Sequence, residues 1–373
     1  MVTGAFPIYS SPSIVKSMPS FAVRTPGQEY QAHVERGIMK RIASFLPPNL
    51  SRIFVVTTEE VWHHQGHMLE GGLRSIPFTR LLLPSGEQYK RMAEVERLAS
   101  QMVEAGGDRQ SVVIAFGGGV VTDMAGFLAA IFMRGIPIVQ IPTTLLAQVD
   151  AAIGGKTGAN LVNGKNLVGC FHQPYTVLID PAAVDTLPDR EYRAGLYEVI
   201  KHGVIASEPL FRLLQQSRDR VLARHPEAVD SMISESVGIK AHVVTVDERE
   251  IGLRKILNFG HTFGHALESE TSYTRFLHGE AVGWGMSAAT LLAMRRGMLS
   301  AEGLEILDTI ASYGPIPALT GISAAAIERR LIADKKAQHG TVHFVLPVRI
   351  GEVQVVKDVS SAEALQAIEE ALL

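Results

Sequence analysis

Five short apolar runs rich in β-branched residues, RIFVVTT, PFTRLLLP, SVVIAFGGG, PIVQIPTT and YTVLIDP, punctuate the chain between Arg52 and Pro181. Between them lie segments such as EQYKRMAEVERLASQMVEAG, where apolar residues recur at helical spacing and a glycine closes the run. Strands that alternate with helices pair in parallel, because each parallel connection needs a crossover long enough to hold a helix. The near-continuous apolar character of SVVIAF calls for a strand covered on both faces, which predicts a doubly wound, mostly parallel sheet. The stretch from Val112 to Met133 has the length of a membrane span, but Gly117-Gly118-Gly119 and Asp123 interrupt it. It reads as strand, tight turn and buried helix, and no membrane partner is expected.

After Pro181 the texture changes. Leu187 to about Ala337 is almost entirely helical in pattern, TVHFVLP and EVQVV near the end form a hairpin, and a last amphipathic helix starts at Ser361. Two domains are expected: residues 1–181, an N-terminal arm and an α/β domain, and 182–373, mostly helical. The first residues, MVTGAFPIYSSPSIVKSMPS, carry no basic n-region and are broken by prolines, so they read as an irregular arm and not as a secretory signal. With 38 acidic and 35 basic residues the formal net charge is −3, too balanced to attract nucleic acid, so any anion needs a local site. Cys170 is the single cysteine, which excludes an intrachain disulfide and a thiolate zinc site and fits a cytoplasmic protein.

Gly117-Gly118-Gly119 ends a buried strand and opens a helix, an arrangement that lets backbone amides approach a pyrophosphate. In PSGEQYK, a turn precedes Glu87 and Lys90, three residues apart on one helical face; an ordinary surface ion pair is the simplest reading. Gly154-Gly155-Lys156-Thr157 is not a phosphate-binding Walker loop, since Asp150 stands where its first glycine belongs. What remains is a flexible, glycine-bounded loop bringing Lys156, Lys165 and Asn166 together as a cradle for a phosphate or carboxylate.

The helical half holds the most informative cluster. In Asn258-Phe-Gly-His261-Thr-Phe-Gly-His265, residues four apart rise ~6 Å and share a face. His278-Gly279-Glu280 follows, and Glu198 lies upstream in LYEVIKHG. One carboxylate with two neutral imidazoles is a catalytic metal set that leaves positions open for substrate oxygens. Spacing alone leaves His202, four residues after Glu198, as an alternative to His278, and leaves Glu280 as either a partner for an imidazole or a helix-start acid. Gly238, Gly252 and Gly260 are either hinges or points of close packing, and His63, His64, His67, His172 and His225 read as ordinary core or surface residues.

Taken in order, PSGEQYK, FGGGVVTDMAGFLAAIFMRG, VQIPTTLLAQVDAAIGGKTGANLVNGKN, LYEVIKHG, GLRKILNFGHTFGHALE and LHGEAV resemble the motifs of the 3-dehydroquinate synthases, a family of the sugar-phosphate cyclases. The likeness runs from about Val55 to the C-terminus. It implies an N-terminal NAD-binding α/β domain and a C-terminal helical domain that binds metal and substrate. By it, Glu198, His261 and His278 hold Zn2+ or Co2+, which favours His278 over His202. Glu87, Lys90, Gly118, Gly119, Val120, Asp123, Thr143, Thr144, Lys156 and Lys165 bind NAD. Asp150, Lys156, Asn166, Lys201, Lys240, Arg254, Asn258 and His265 line the substrate site, joined by one of Lys335 and Lys336, while Arg134 reaches the neighbouring subunit of a homodimer.

The implied reaction converts 3-deoxy-D-arabino-heptulosonate 7-phosphate, a phosphorylated sugar acid, to 3-dehydroquinate and phosphate. NAD oxidises the C5 alcohol, phosphate is eliminated, the hydride returns, and the ring closes by an intramolecular aldol step. One departure stands out: where relatives place an aspartate after the strand, this chain reads Val56-Thr57-Thr58-Glu59. Either Glu59 substitutes or that contact to NAD is weaker. The competing readings are another sugar-phosphate cyclase, a metal-dependent polyol dehydrogenase of the same superfamily, and a scaffold protein with a dead site. Arg254, Asn258 and His265 argue against the first, and the phosphate-cradling lysines against the second.

Overall fold

The computed structural model describes residues 19–74, 76–337 and 342–373, so the N-terminal arm lies outside the described residues almost entirely. The chain divides into two compact units. The first comprises residues 19–188 together with Val229–Thr245. Its strands and helices are β1 (Ser20–Thr25), β2 (Gln28–Val34), β3 (Ile53–Thr57), α1 (Glu59–Leu73), β4 (Thr79–Leu82), α2 (Met92–Glu104), β5 (Val112–Gly117), α3 (Gly119–Ile131), β6 (Ile138–Pro142), β7 (Lys156–Leu161), β8 (Gly164–Phe171) and β9 (Thr176–Ile179). Seven strands form one sheet in the order β1-β2-β9-β6-β5-β3-β4, parallel except for the antiparallel β1–β2 pair.

Alternation along the central strands explains the two layers of helices. Phe54, Val56, Val113 and Ala115 pack with α2 and α3 residues such as Leu98 and Met124, whereas Val55, Ile114 and Phe116 pack with Leu69 and Leu73 of α1. Both faces are therefore dry, as the unbroken apolar pattern of β5 requires. From β3 the chain moves to β4 on one side and to β5 on the other, so the order of connection reverses between β3 and β5. In open parallel sheets, the crevice beyond the strand C-termini at such a reversal is where ligands bind.

Two elements of this unit escape the apolar-run pattern. The hairpin β1–β2 turns at Pro26-Gly27, and its buried residues Tyr30, Ala32 and Val34 alternate along β2, a period-2 signal too short and too polar in between to stand out. The glycine-bounded segment expected as a flexible loop is instead an antiparallel hairpin, with Lys156 opposite Phe171 and Gly158 opposite Gly169. Glycine serves packing there: a Cβ on Gly126 of α3 would lie 2.4 Å from Thr157 Cγ2, so its absence lets the hairpin settle on that helix.

The second unit comprises Asp189–Ala228 and the chain from Val246 onward. It holds α4 (Asp189–Ala206), α5 (Glu208–Gln216), α6 (Arg218–Leu222), the first turn of α7 (Pro226–Val246), α8 (His261–Glu270), α9 (His278–Arg295), α10 (Ala301–Ser312), α11 (Ala324–Ala337), the hairpin of β10 (Phe344–Arg349) and β11 (Glu352–Val356), and α12 (Ser361–Ala371). The expected terminal hairpin and last helix are both present, the latter capped by Ser360, whose hydroxyl accepts from Glu363 N at 3.3 Å. The expected boundary at 181/182 is displaced to Pro188, and most of α7 belongs with the sheet, not with the helices. The reason is local. Gly238 faces the Phe21 ring so closely that a Cβ would lie 2.9 Å from Cε1, Arg24 N donates to Thr245 Oγ1 at 3.1 Å, and Arg36 pairs with Asp230 at 2.8 Å.

Candidate functional site

The crevice beyond β3 and β5 is lined as the glycine motif requires. Gly118 caps α3 with no side chain of its own, and Gly118, Gly119 and Val120 are half-buried there. The turn cannot carry larger residues at its start, since a Cβ on Gly117 would come within 2.6 Å of Val121 Cγ2 and one on Gly118 within 2.9 Å of Thr144 Cγ2. Thr143 N donates to Gly117 O at 3.0 Å, and Thr144 Oγ1 accepts from Ala147 N at 3.2 Å, starting the turn that carries Asp150. At the end of β3, Thr58 caps α1 by accepting from Val61 N, and Glu59 stands exposed as the first helical residue.

Glu87 and Lys90 do not form the surface pair that their spacing predicts. The short turn after β4 swings Lys90 inward, where its Nζ lies 2.5 Å from Asp123 Oδ2 and 2.6 Å from Asn166 Oδ1. Burial pushes the Asp123 carboxyl up, and the Lys90 ammonium pulls it down; the net direction is upward. Glu87 Oε1 accepts instead from Asn160 Nδ2 at 2.7 Å, and Asn160 Oδ1 accepts from Asn166 N at 2.8 Å. Asn160 thus ties the turn after β4 to the β7–β8 hairpin. No sequence pattern marks it, because its role depends on a hairpin that its glycine-rich surroundings disguise. Lys156 and Lys165 lie on the same hairpin.

Asp150 and Lys240 meet in this unit as well, with Nζ 2.5 Å from Oδ1. Arg134 is not gathered with the others: it is exposed, with a positive φ of 71°, just beyond the C-terminus of α3 and about 20 Å along that helix from Gly119. The side chains of Lys335 and Lys336 lie outside the described residues.

In the helical unit, glycines bring three helices into backbone contact. A Cβ on Gly279 of α9 would sit 1.9 Å from Ala194 O of α4, one on Gly264 of α8 would sit 2.9 Å from Ala281 O of α9, and one on Gly285 would sit 2.0 Å from Gly260 O. Gly260 is thereby assigned to close packing, and only residues without side chains permit this approach. It carries Glu198 on α4, His261 on α8 and His278 on α9 to one point. Glu198 Oε1 lies 3.7 Å from His261 Nε2 and 3.7 Å from His278 Nε2, and the carboxylate is 1% exposed. His265 joins them, with one ring nitrogen from each of the three histidines within 4.8 Å of one another. His202, also on α4, is not in this group.

The ring orientations suit a cation. His261 Nδ1 faces Phe259 O at 3.2 Å and His278 Nδ1 faces Glu268 Oε2 at 3.3 Å, so each ring donates from Nδ1 and Nε2 is the nitrogen turned toward Glu198. Burial, reinforced by Lys201 and the neighbouring histidines, holds His261 well below its usual range and keeps it neutral. His278 is pulled down by burial, but the hydrogen bond and charge of Glu268 and the charge of Glu198 outweigh that and raise it. Glu198 Oε1 is buried without a hydrogen-bond partner among the described residues, a costly state that a bound cation relieves. Glu198 also ion-pairs with the equally buried Lys201. This donor set of carboxylate and imidazole fits Zn2+ or Co2+.

Glu280 is the helix-start acid of the two alternatives: Leu277 N donates to its Oε2 at 2.7 Å, and Arg190 binds both oxygens at 2.7 and 2.8 Å. Glu268, three residues beyond His265 on α8, does reach an imidazole, from a position that helical spacing marks but does not distinguish. Asp247 carries no sequence signal either. Its carboxylate accepts from the amides of Ile251 (3.2 Å), Gly252 (2.7 Å) and Arg254 (3.0 Å), fixing the loop that presents Arg254 and Asn258. Arg254 is 1% exposed and donates to Glu248 O at 2.6 Å, and Asn258 Nδ2 donates to Glu250 Oε1 at 2.6 Å.

Residues 80–194 match the family model for the 3-dehydroquinate synthase N-terminal region, and residues 195–337 match that for the C-terminal region. A 3-dehydroquinate synthase of Solibacter usitatus is 61% identical over 95% of this chain and 100% of its own length. Among solved structures, ValA, the 2-epi-5-epi-valiolone synthase of Streptomyces hygroscopicus subsp. jinggangensis with NAD+ and Zn2+ bound, is 30% identical, with a TM-score of 0.84 over 97% of this chain and 99% of that one. A 2-deoxy-scyllo-inosose synthase complexed with carbaglucose-6-phosphate, NAD+ and Co2+ has a TM-score of 0.85 over 94% and 99% of the two chains; at 23% identity it speaks to the fold alone. Two synthases of other products thus share the architecture, while the identity with the 3-dehydroquinate synthase is about twice that with ValA. The chain belongs to the 3-dehydroquinate synthase family.

Proposed function

We propose that this chain converts 3-deoxy-D-arabino-heptulosonate 7-phosphate to 3-dehydroquinate and inorganic phosphate, with NAD+ regenerated in each turnover and Zn2+ or Co2+ as the metal. The observation that carries the reading is the meeting of Glu198 Oε1 with the Nε2 atoms of His261 and His278, each at 3.7 Å, in a chain 61% identical to a 3-dehydroquinate synthase. When bound, NAD+ would take up and return a hydride, and the metal would polarise the oxygen on the carbon that is oxidised and then reduced.

The chain's own residues do the rest. Glu198, His261 and His278 hold the ion. The sheet unit takes the dinucleotide, with the α3 N-terminus and the amides of Gly118, Gly119 and Val120 on its pyrophosphate, and Glu87, Lys90, Asp123, Thr143, Thr144, Lys156 and Lys165 around it. Lys156 and Asn166 also contact substrate, as do Asp150 and Lys240, whose ion pair sets the ammonium in place. Arg254 offers its planar fork to the substrate carboxylate, with Asn258 four residues further along the short helix whose start Asp247 pins. His265 and Lys201, next to the ligand cluster, bind and move protons at the reacting carbons and oxygens. The protein works as a cytoplasmic homodimer in which Arg134 completes the neighbouring subunit's site; sedimentation analysis and Arg134→Ala kinetics test that assignment.

The deciding experiment is phosphate release from the heptulosonate phosphate, with and without chelator. Turnover with catalytic NAD+, lost on chelation and restored by Zn2+ or Co2+, supports the reading. Stoichiometric accumulation of NADH points instead to a polyol dehydrogenase, and turnover only on a sugar phosphate lacking the carboxylate points to a different cyclase.

A further inference from the structure

The two imidazoles beside Glu198 are oriented by different means. His261 is held by a backbone carbonyl, Phe259 O, two residues before it. His278 opens α9, where no preceding helical turn restricts its ring, and its Nδ1 is met by a carboxylate from another helix, Glu268 of α8. Glu268 is itself buried, 3% exposed. The acid closer in sequence, Glu280, has both oxygens engaged by Arg190 and Leu277 N.

We propose that Glu268 is a positioning residue of the metal centre: by accepting a hydrogen bond from His278 Nδ1–H it fixes that ring's tautomer and plane and strengthens Nε2 as a donor, and so sets the affinity for the divalent ion. This rests on the reading of Glu198, His261 and His278 as ligands. A carboxylate behind a ligating histidine orients the ring and raises its basicity, and its loss lowers metal affinity about 10–100-fold. Because α8 carries both His261 and Glu268, one helix supplies a ligand and the brace of a ligand on α9.

The test compares Glu268→Gln, Glu268→Ala and His278→Ala by Zn2+ competition against a chromophoric chelator. The visible spectrum of the Co2+-loaded proteins and the melting temperature in excess chelator complete the comparison. Expected are a loss in Zn2+ affinity of about 10–100-fold for Glu268→Ala and a smaller loss for Glu268→Gln, which keeps an acceptor oxygen but not the charge. The Co2+ band shifts, while the melting temperature of the metal-free Glu268→Gln protein stays at the wild-type value. A purely structural role would lower that melting temperature and leave affinity and spectrum unchanged, overturning the proposal. If Glu268→Ala does not fold, the Gln variant decides by the same two readouts. Wild-type affinity in both Glu268 variants, with metal lost in His278→Ala, overturns this proposal alone. Wild-type affinity in His278→Ala overturns the ligand reading and the proposal with it.

Discussion

The charged groups of the helical unit and those of the sheet unit are held in place by opposite strategies. Around Glu198, position comes from packed backbone: glycines on α8 and α9 bring three helices together, and the side chains project from rigid elements into one point. Around Lys90, position comes from side chains. Asp123, Asn166, Asn160 and Glu87 come from α3, the β7–β8 hairpin and a short turn, and hydrogen bonds among them fix the geometry. A metal centre needs donors within a few tenths of an ångström, which rigid helices supply. A cofactor cradle must admit and release its ligand, and a network of side chains anchored on a hairpin and a turn suits that. Removing a group from the first cluster is therefore expected to cost chemistry, and removing one from the second to cost binding and stability.

The largest expected effect is that of His261→Ala, which should abolish metal binding and lower turnover by about 10³-fold or more. The metal-free protein should melt where the metal-free wild type does; metal analysis with calorimetry checks both. Retention of full metal content would break the contrast at its root. Asn160→Ala should behave oppositely: it strands Glu87 Oε1 and Asn166 N and should cost about 1–3 kcal/mol of stability, with weaker NAD+ binding but unchanged metal content. Denaturant titration and NAD+ binding measurements decide, and a loss of metal would mean that the two clusters are coupled. The smallest effect is expected from Asp247→Asn, about 1 kcal/mol at neutral pH. The Asp247 carboxyl, though partly raised by burial, is held below its ordinary value of 3.8 by the amides of Gly252, Arg254 and Ile251. Its stabilisation is therefore fully present above 3.8 and is lost as pH falls through the lower folded-state value. The stability gap between wild type and Asp247→Asn should close as acid is added in that window, and a gap that widens would refute the assignment.

How far each region is legible follows from the same contrast. The parallel sheet, the glycine turn before α3, the helical half, the terminal hairpin and the final helix all announce themselves through local periodicity. So do His261 and His265, which share a helix, while the choice of His278 over His202 needs family likeness or the packing of the helices. The β1–β2 strands, the β7–β8 hairpin and the membership of α7 are not announced, because each depends on a partner distant in sequence. Glu268, Asn160 and Asp247 were invisible for the same reason: an acid or amide on a surface-like stretch looks alike whether it faces water or braces a functional group.

The amino-acid sequence by itself therefore determined the layered α/β architecture, the helical second half, and the residue types capable of metal and phosphate chemistry, since these are written in spacing and in the chemistry of each side chain. Only the tertiary structure decided that Lys90 turns from Glu87 to Asp123, that Glu280 caps a helix while Glu268 reaches His278, and that Lys240 sits with Asp150. Those choices are made by which backbones can approach closely enough to bring two side chains within hydrogen-bond range, and close approach is a property of packing in three dimensions, not of order along the chain.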